Sequence, residues 1–377
     1  VVVDKEYTVV REITSITSPT ESFDFTGAQS VYVHTDGTIY ICDTENRRVL
    51  MSDSLGNYIG MLTLPKSNLI PANFRFAPIC MAVDSAGYVY VLCDGSYYGA
   101  ILYTPTLEFA GFYGSNKVKN TVTQALGTML DRLFVNNAKK AVSESVLPYC
   151  FVDIYIDSKD FVYTATGFTE ESQMKGQIKK LSPGIGTDIL GSSSVNFADD
   201  GANWTFKPGV MLRQDISAVT VDEQGYIYCL DTTYGRVYVY DKECRLLSAF
   251  GGGINAGKQK GLFQQASGIA LNGSDILVCD SSKKSVTVFT ETAYGTELKE
   301  ARALTLTGKY TQAKKLWLSV LKQDSNCQLA YSGLARAYLA DKDYKQALMY
   351  AKLGYDRDTY DIAFGKLRTT FISDHFV

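Results

Sequence analysis

The sequence predicts a mainly β chain: a propeller of radial, four-stranded sheets followed by an α-helical C-terminal region. Three observations carry this expectation. A strand–turn–strand unit recurs about every 50 residues, the spacing of propeller blades. Its turns pair an acidic residue with a following glycine. After residue 290 the apolar period changes from strand to helix, with a second internal repeat at an offset of 34 residues.

The unit is clearest as SVYVHTDGTIYICD (Ser30–Asp43), MAVDSAGYVYVLCD (Met81–Asp94), AVTVDEQGYIYCLD (Ala218–Asp231) and GIALNGSDILVCD (Gly268–Asp280). A looser copy, FVDIYIDSKDFVYTATG, runs from Phe151 to Gly167. Gly37, Gly87 and Gly225 supply the positive φ of a tight hairpin. The flanking stretches alternate as strands do. The closing Asp43, Asp94, Asp231 and Asp280 can each accept a backbone N–H from the next turn. Third strands follow at Arg47, Ala100, Arg236 and Ser285, and fourth strands at Asn57, Glu108 and Leu246. The count is five blades, or six if residues 190–212, with Trp204 and Phe206, hold a degenerate one. The last blade lacks an outer strand. Residues Glu6–Thr14 read as a lone strand that would pair with that blade, close the ring and cover its edge.

Composition narrows the function classes. The 377 residues are 46% apolar and 20% charged, as in ordinary folded proteins. A net charge of -3 offers no basic face for nucleic acid. No run of 18 apolar residues is present to span a bilayer. The chain begins at Val1, as a processed or trimmed piece would. Eight cysteines without a close CxxC pair argue against a zinc ribbon and suit reduced, packed thiols. Only His34 and His375 are available, which excludes a three-histidine metal centre and disfavours a Ser-His-Asp triad. No cofactor and no metal site are expected.

Between blades two and three, residues 118–147 form an insert. Val122, Leu126, Met129, Leu130, Leu133 and Phe134 in it recur at helical spacing. In the C-terminal region GKYTQAKKLW (Gly308–Trp317) aligns with KDYKQALMYA (Lys342–Ala351), pairing Tyr310 with Tyr344 and Ala313 with Ala347; the register reaches back to Ala301 and Ala335. This 34-residue helix–turn–helix pattern resembles the tetratricopeptide (TPR) repeat. Residues 360–372 would cap it. In the TPR register Arg302 and Arg336 are equivalent and could hold an acidic peptide end. The domain division expected is 1–289 for the propeller, with its insert, and 290–377 for the helices.

The blade pattern over residues 27–288 resembles the NHL repeat, best in Gly37–Gly56 and Gly225–Asp241. The order of propeller, insert and TPR resembles the extracytoplasmic part of clostridial, Gram-positive surface proteins that continue into a Yip-type membrane domain. That resemblance implies a membrane-anchored, cell-surface protein, tethered through a segment beyond this chain and placed near carbohydrate uptake. The loops joining second to third strands share one rim with those joining blades, and carry Arg47, Tyr97, Tyr98, Phe168, Trp204 and Tyr234. Aromatics with arginine typify binding hot spots. The expected role is a non-catalytic scaffold binding protein partners through rim and helices. The alternatives are a glycan receptor and a calcium-dependent, lactonase-like hydrolase, which needs only oxygen ligands.

Overall fold

The computed structural model describes residues 1–114, 150–167, 176–191, 195–198, 215–253 and 259–376. The expected insert at 118–147 and most of 190–212 lie outside these. The chain divides into two compact units, Val1–Leu271 with Leu277–Thr287, and Asn272–Ile276 with Val288–Val377.

The strands form a five-bladed β-propeller. After two short N-terminal hairpins, β1 (Val2–Val3) with β2 (Val9–Arg11) and β3 (Ser15–Thr17) with β4 (Ser22–Asp24), come the blades. Blade one is β5 (Ala28–Val33), β6 (Ile39–Asp43), β7 (Arg48–Ser52) and β8 (Tyr58–Leu62). Blade two is β9 (Pro78–Val83), β10 (Val89–Cys93), β11 (Ala100–Tyr103) and β12 (Phe109–Tyr113). Blade three is β13 (Phe151–Ile156), β14 (Val162–Thr166) and β15 (Ile178–Leu181). Blade four is β16 (Ile216–Val221), β17 (Ile227–Asp231), β18 (Arg236–Tyr240) and β19 (Leu246–Gly251). Blade five is β20 (Ala266–Asn272), β21 (Asp275–Asp280) and β22 (Ser285–Phe289).

Alternation along each strand gives every blade two apolar faces. The front face of blade one (Tyr40, Cys42, Val49, Met51) packs on the back face of blade two (Met81, Val83, Val89, Val91) in one buried cluster. Blades two and three repeat the arrangement through Tyr90, Leu92 and Tyr113 against Phe151, Ile154 and Val162. Blades three and four do so through Tyr163 and Ala165 against Val219, Val221 and Cys229. Such interlocked faces supply most of the hydrophobic stabilisation.

The N-terminal segment departs from expectation. It does not pair with blade five. The β3–β4 hairpin lies on the back face of blade one, where Ile16 and Phe23 cover Leu50. The Thr17 N–H donates to the Gly56 carbonyl at 3.1 Å, and Thr17 forms a parallel bridge with Asn57. The Arg11 guanidinium donates to the Ser54 carbonyl oxygen. The physical reason is burial: laid on the face of blade one, the segment encloses Ile16, Phe23 and Leu50 in one cluster, each at most 6% exposed.

The closing aspartates are clamps, with one correction. Asp231 accepts N–H groups from Asp215 (3.1 Å), Thr233 (2.9 Å) and Tyr234 (3.3 Å). Asp280 accepts from Gln264 (2.7 Å), Gln265 (3.3 Å) and Lys283 (2.9 Å). Asp43 accepts from the Thr26 N–H (2.8 Å), Asn46 (2.9 Å) and Arg48 (2.8 Å). Each ties the lead-in of its blade to the turn after its second strand. In blade two the matching ladder position is Cys93, paired with Pro78, so Asp94 falls one residue late and is exposed. Asp280→Ala is therefore expected to destabilise the propeller by about 2–3 kcal/mol, because its N–H partners are left unpaired. Asp94→Ala should stay within about 0.5 kcal/mol. Urea unfolding of the two variants, read on the β signal, checks this contrast.

The second unit contains α1 (Ala293–Leu306), α2 (Tyr310–Gln323), α3 (Gln328–Ala340), α4 (Tyr344–Leu353) and α5 (Arg357–Phe376), packed in succession. Tyr310 and Tyr344 each open a helix, as the 34-residue offset requires. Ala301, Ala313, Ala335 and Ala347 are all fully buried, so the repeated small residues are where helices approach most closely. Thr292 and Asp343 cap α1 and α4 by accepting the N–H of Gly295 (3.2 Å) and Gln346 (3.1 Å). Between α1, α2 and α3 sits Trp317, fully enclosed, its Nε1–H donating to the Thr305 hydroxyl at 2.8 Å. A Cβ on Gly333 would run into that indole, which is why glycine stands there. The expected cap at 360–372 is the longer helix α5.

Candidate binding rim and inner ring

The links β6–β7, β10–β11 and β17–β18 are topological equivalents, so Arg47, Tyr97, Tyr98 and Tyr234 belong to the same rim. The fold treats them differently. Arg47 is exposed in the left-handed region, with φ 55°, at the end of a turn closed by its N–H to the Thr44 carbonyl (3.1 Å). Tyr234 is buried, with the Arg236 guanidinium 6.0 Å from its ring centre. Phe168 and Trp204 lie outside the described residues.

Tyr97 and Tyr98 form the most developed feature. Their rings stack at 4.8 Å with 29° between planes, and both are half-buried. Tyr98 rests on Phe112 (5.2 Å) and Phe74 (6.1 Å), and Phe109 meets Phe112 edge-on at 5.7 Å. Burial, then the hydrogen bond to Tyr97, push the Tyr98 hydroxyl up to about 12. Gly99 ends the loop at φ 88°; a Cβ there would strike the Tyr113 and Gly114 carbonyls, so the loop can approach β12 only with glycine. The result is a packed aromatic shelf whose rings have little freedom left to lose on binding.

Among the helices, Arg302 is buried at 2% exposure. Arg336 is engaged internally, Nε to the Asp356 carboxylate at 3.2 Å. Burial alone would raise the Asp356 carboxyl. The Ser332 hydroxyl (2.7 Å), the Thr359 N–H (3.1 Å) and Arg336 outweigh it and hold the group below its ordinary value. These arginines are not presented as a free pair, because α3 is tied to the start of α5 through one of them.

A second constellation carries no signature in the sequence. Each inner strand of blades one to four has a bulge at its start. At the matching position after the bulge stand Ser30, Cys80, Asp153 and Ala218. The Ser30 hydroxyl donates toward Cys80 Sγ (3.8 Å), the Cys80 thiol donates to Asp153 (3.0 Å), and Asp153 accepts the Val219 N–H (2.8 Å). A polar chain thus crosses four blades. Burial pushes the Asp153 carboxyl up to about 6, against the opposing pull of those donors. The one available hint is a lone acid in an otherwise apolar strand, Phe151–Ile156.

The hairpin turns carry a third pattern. Tyr90 donates to Asp84 (3.1 Å) and Tyr228 to Asp222 (3.0 Å), each six residues on, and Asp157 and Tyr163 are likewise bonded. His34 takes this aspartate's place in blade one, six residues before Tyr40. Asp160 of blade three also accepts both the N–H (2.8 Å) and hydroxyl (2.6 Å) of Ser85 in blade two. Among the described residues no three His, Cys, Asp or Glu side chains gather as metal ligands would, and no helix is long and apolar enough to cross a membrane. All eight cysteines are free; Cys42, Cys93, Cys229 and Cys244 are buried, whereas Cys279 is exposed.

No family model and no curated protein sequence matches this chain. Among solved structures, virginiamycin B lyase from Staphylococcus aureus aligns at 9% identity and TM-score 0.38, over 72% of this chain and 74% of its own. An auxiliary nutrient binding protein from Bacteroides thetaiotaomicron aligns at 8% identity and TM-score 0.41, over 70% and 60%. The extracellular domain of a hybrid two-component system from B. thetaiotaomicron aligns at 11% identity and TM-score 0.37, over 73% and 29%. The class of this protein, a five-bladed propeller with C-terminal helical hairpins, rests on its own strands and helices.

Proposed function

We propose that this chain is a non-catalytic binding module that receives a protein partner on the propeller rim. The observation that supports this best is the Tyr97–Tyr98 stack, half-exposed on a bed of Phe74 and Phe112. Aromatic anchors held rigidly on a scaffold are what binding hot spots are made of. The inner-ring acid, Asp153, favours binding over hydrolysis as the reading, since both its oxygens already accept donors from neighbouring blades. The NHL-type and TPR-type assignments, and an extracytoplasmic, membrane-anchored setting, are the finer form of this proposal and rest on the residue patterns.

A pull-down from the producing cells' surface fraction, with wild type and the Tyr97→Ala, Tyr98→Ala double variant, tests it. The double variant is expected to lose the partner by about 30-fold or more in affinity, as hot-spot removal does. Tyr234→Phe, a change inside a packed site, should retain it. Equal capture by all three would overturn the rim reading. Stacked tyrosines also suit sugar rings, which makes a glycan receptor the second reading. Glycan-array binding that the same double variant abolishes would select it.

A further inference from the structure

We infer that blades two and three enclose a site for a small anion, a carboxylate or a halide, held by Thr164, Gln177 and Lys179. The three residues share one face of one sheet. Thr164 pairs with Lys179 across β14 and β15, and the Thr166 N–H, two residues on, donates to the Gln177 carbonyl at 2.8 Å. Strand alternation sets them beside Val162 and Leu181, which pack against Leu92, Ala100 and Tyr113 of blade two. Lys180 takes the other face, its ammonium over the rings of Phe161 (4.2 Å) and Tyr163 (5.2 Å).

Equivalence between blades shows what is unusual here. The pair Thr164–Lys179 stands where blade one has Ile41–Leu50, blade two Val91–Ile101 and blade four Cys229–Tyr238. Leu50, Val91, Ile101, Cys229 and Tyr238 are all buried packing residues. Blade three puts a hydroxyl and an ammonium in their place. The facing wall is cut back as well. Blade two has Ala100 just before Ile101, where the other blades have Val49, Ile178 and Val237.

The polar groups have more to offer than they use. Thr164 is 1% exposed and Gln177 4%, yet neither Thr164 Oγ1 nor Gln177 Nε2 has a hydrogen-bond partner. Buried polar groups left unmet are costly, and native folds keep them where a ligand is to be held. Burial lowers Lys179 below the ordinary lysine range, although Asp188 pulls it the other way. That carboxylate also accepts the Lys180 and Leu190 N–H groups (3.3 and 3.0 Å), so its compensation is shared. Donors therefore predominate: an ammonium, an amide N–H and a hydroxyl. An anion can accept from all three and offsets the charge. Lys179 is half-buried, which leaves the site an opening to solvent.

Chloride-35 line broadening and urea unfolding, both on the whole chain, test this. The parent is expected to broaden the chloride line, and sodium formate to narrow it again by competition. At constant ionic strength the urea midpoint of the parent should rise with formate. Thr164→Val and Lys179→Met imitate the apolar residues of the other blades, and circular dichroism checks that both fold. Each should weaken anion binding, Lys179→Met by about tenfold or more. Lys66→Met, at an exposed lysine, should leave it unchanged. A midpoint that rises with formate while chloride goes unbound selects the carboxylate. Broadening that survives in Thr164→Val and Lys179→Met means an adventitious ion only and overturns the inference. So does a parent that neither broadens the line nor responds to formate, because water alone would then meet Thr164 and Gln177.

Discussion

Asp153→Asn is expected to leave the protein as stable as its parent near pH 4 and to make it more stable near pH 7.5, by about 3 kcal/mol at most. The sign follows from the direction of the shift. Burial holds the carboxyl at about 6 in the folded chain, above its ordinary 3.8. The folded state thus binds the proton more tightly than the unfolded one. A raised carboxyl contributes fully below about 4, and that contribution is lost as pH rises through about 6. Asparagine imitates the protonated form: it is neutral and keeps an oxygen for the Val219 N–H. Urea unfolding of parent and variant at several pH values gives the difference curve, and a flat difference would show that the carboxylate is better solvated than its surroundings indicate. Asp231, also pushed up to about 6 by burial against its N–H donors, should respond with the same sign and a smaller gain, because it clamps more backbone.

The other large effect lies in the helices. Trp317→Ala is expected to cost about 3–5 kcal/mol, the range for emptying a core of a large aromatic. The loss should fall on the helical unit, seen as helix signal melting ahead of the β signal. Trp317→Phe separates the two parts of the interaction. It keeps most of the volume but removes the donor to Thr305, and should cost about 1–2 kcal/mol. Gly333→Ala approaches the same indole from the other side and should destabilise although alanine is the better helix former. If it stabilises, the close approach of α2 and α3 is not what fixes that glycine.

Much of this architecture is legible in the chain because it is written in short-range signals. The turn glycines and alternating strands of blades one, two and four need only a dozen residues each. The helical repeat announces itself through Ala301, Ala313, Ala335 and Ala347, where size rather than polarity is selected. The ladder in blade two reads one residue out of place because an extra strand residue moves Asp94 off the position that Asp43 and Asp231 hold. The N-terminal segment is misplaced by its pattern because alternation says how a segment is folded, not which edge or face it covers. The inner ring is invisible for a related reason: Ser30, Cys80 and Asp153 lie in three different blades, and only the packing of bulged strands brings them into line. Arg302 and Arg336 look like a charged pair for a ligand until Asp356, twenty residues past Arg336, proves to be the latter's partner.

The hairpin over blade one has a consequence for how this molecule breathes. Its strands are three residues each, and small two-stranded ribbons hold together poorly without what they rest on. Brief lifting of this flap would uncover Leu50 while the four-stranded sheet beneath stays intact, a local opening far cheaper than unfolding. Amide exchange at Ile16 and Phe23 should therefore outrun exchange in β6 and β7. The first apolar surface shown to a protease or a chaperone would then be the flank of the first blade.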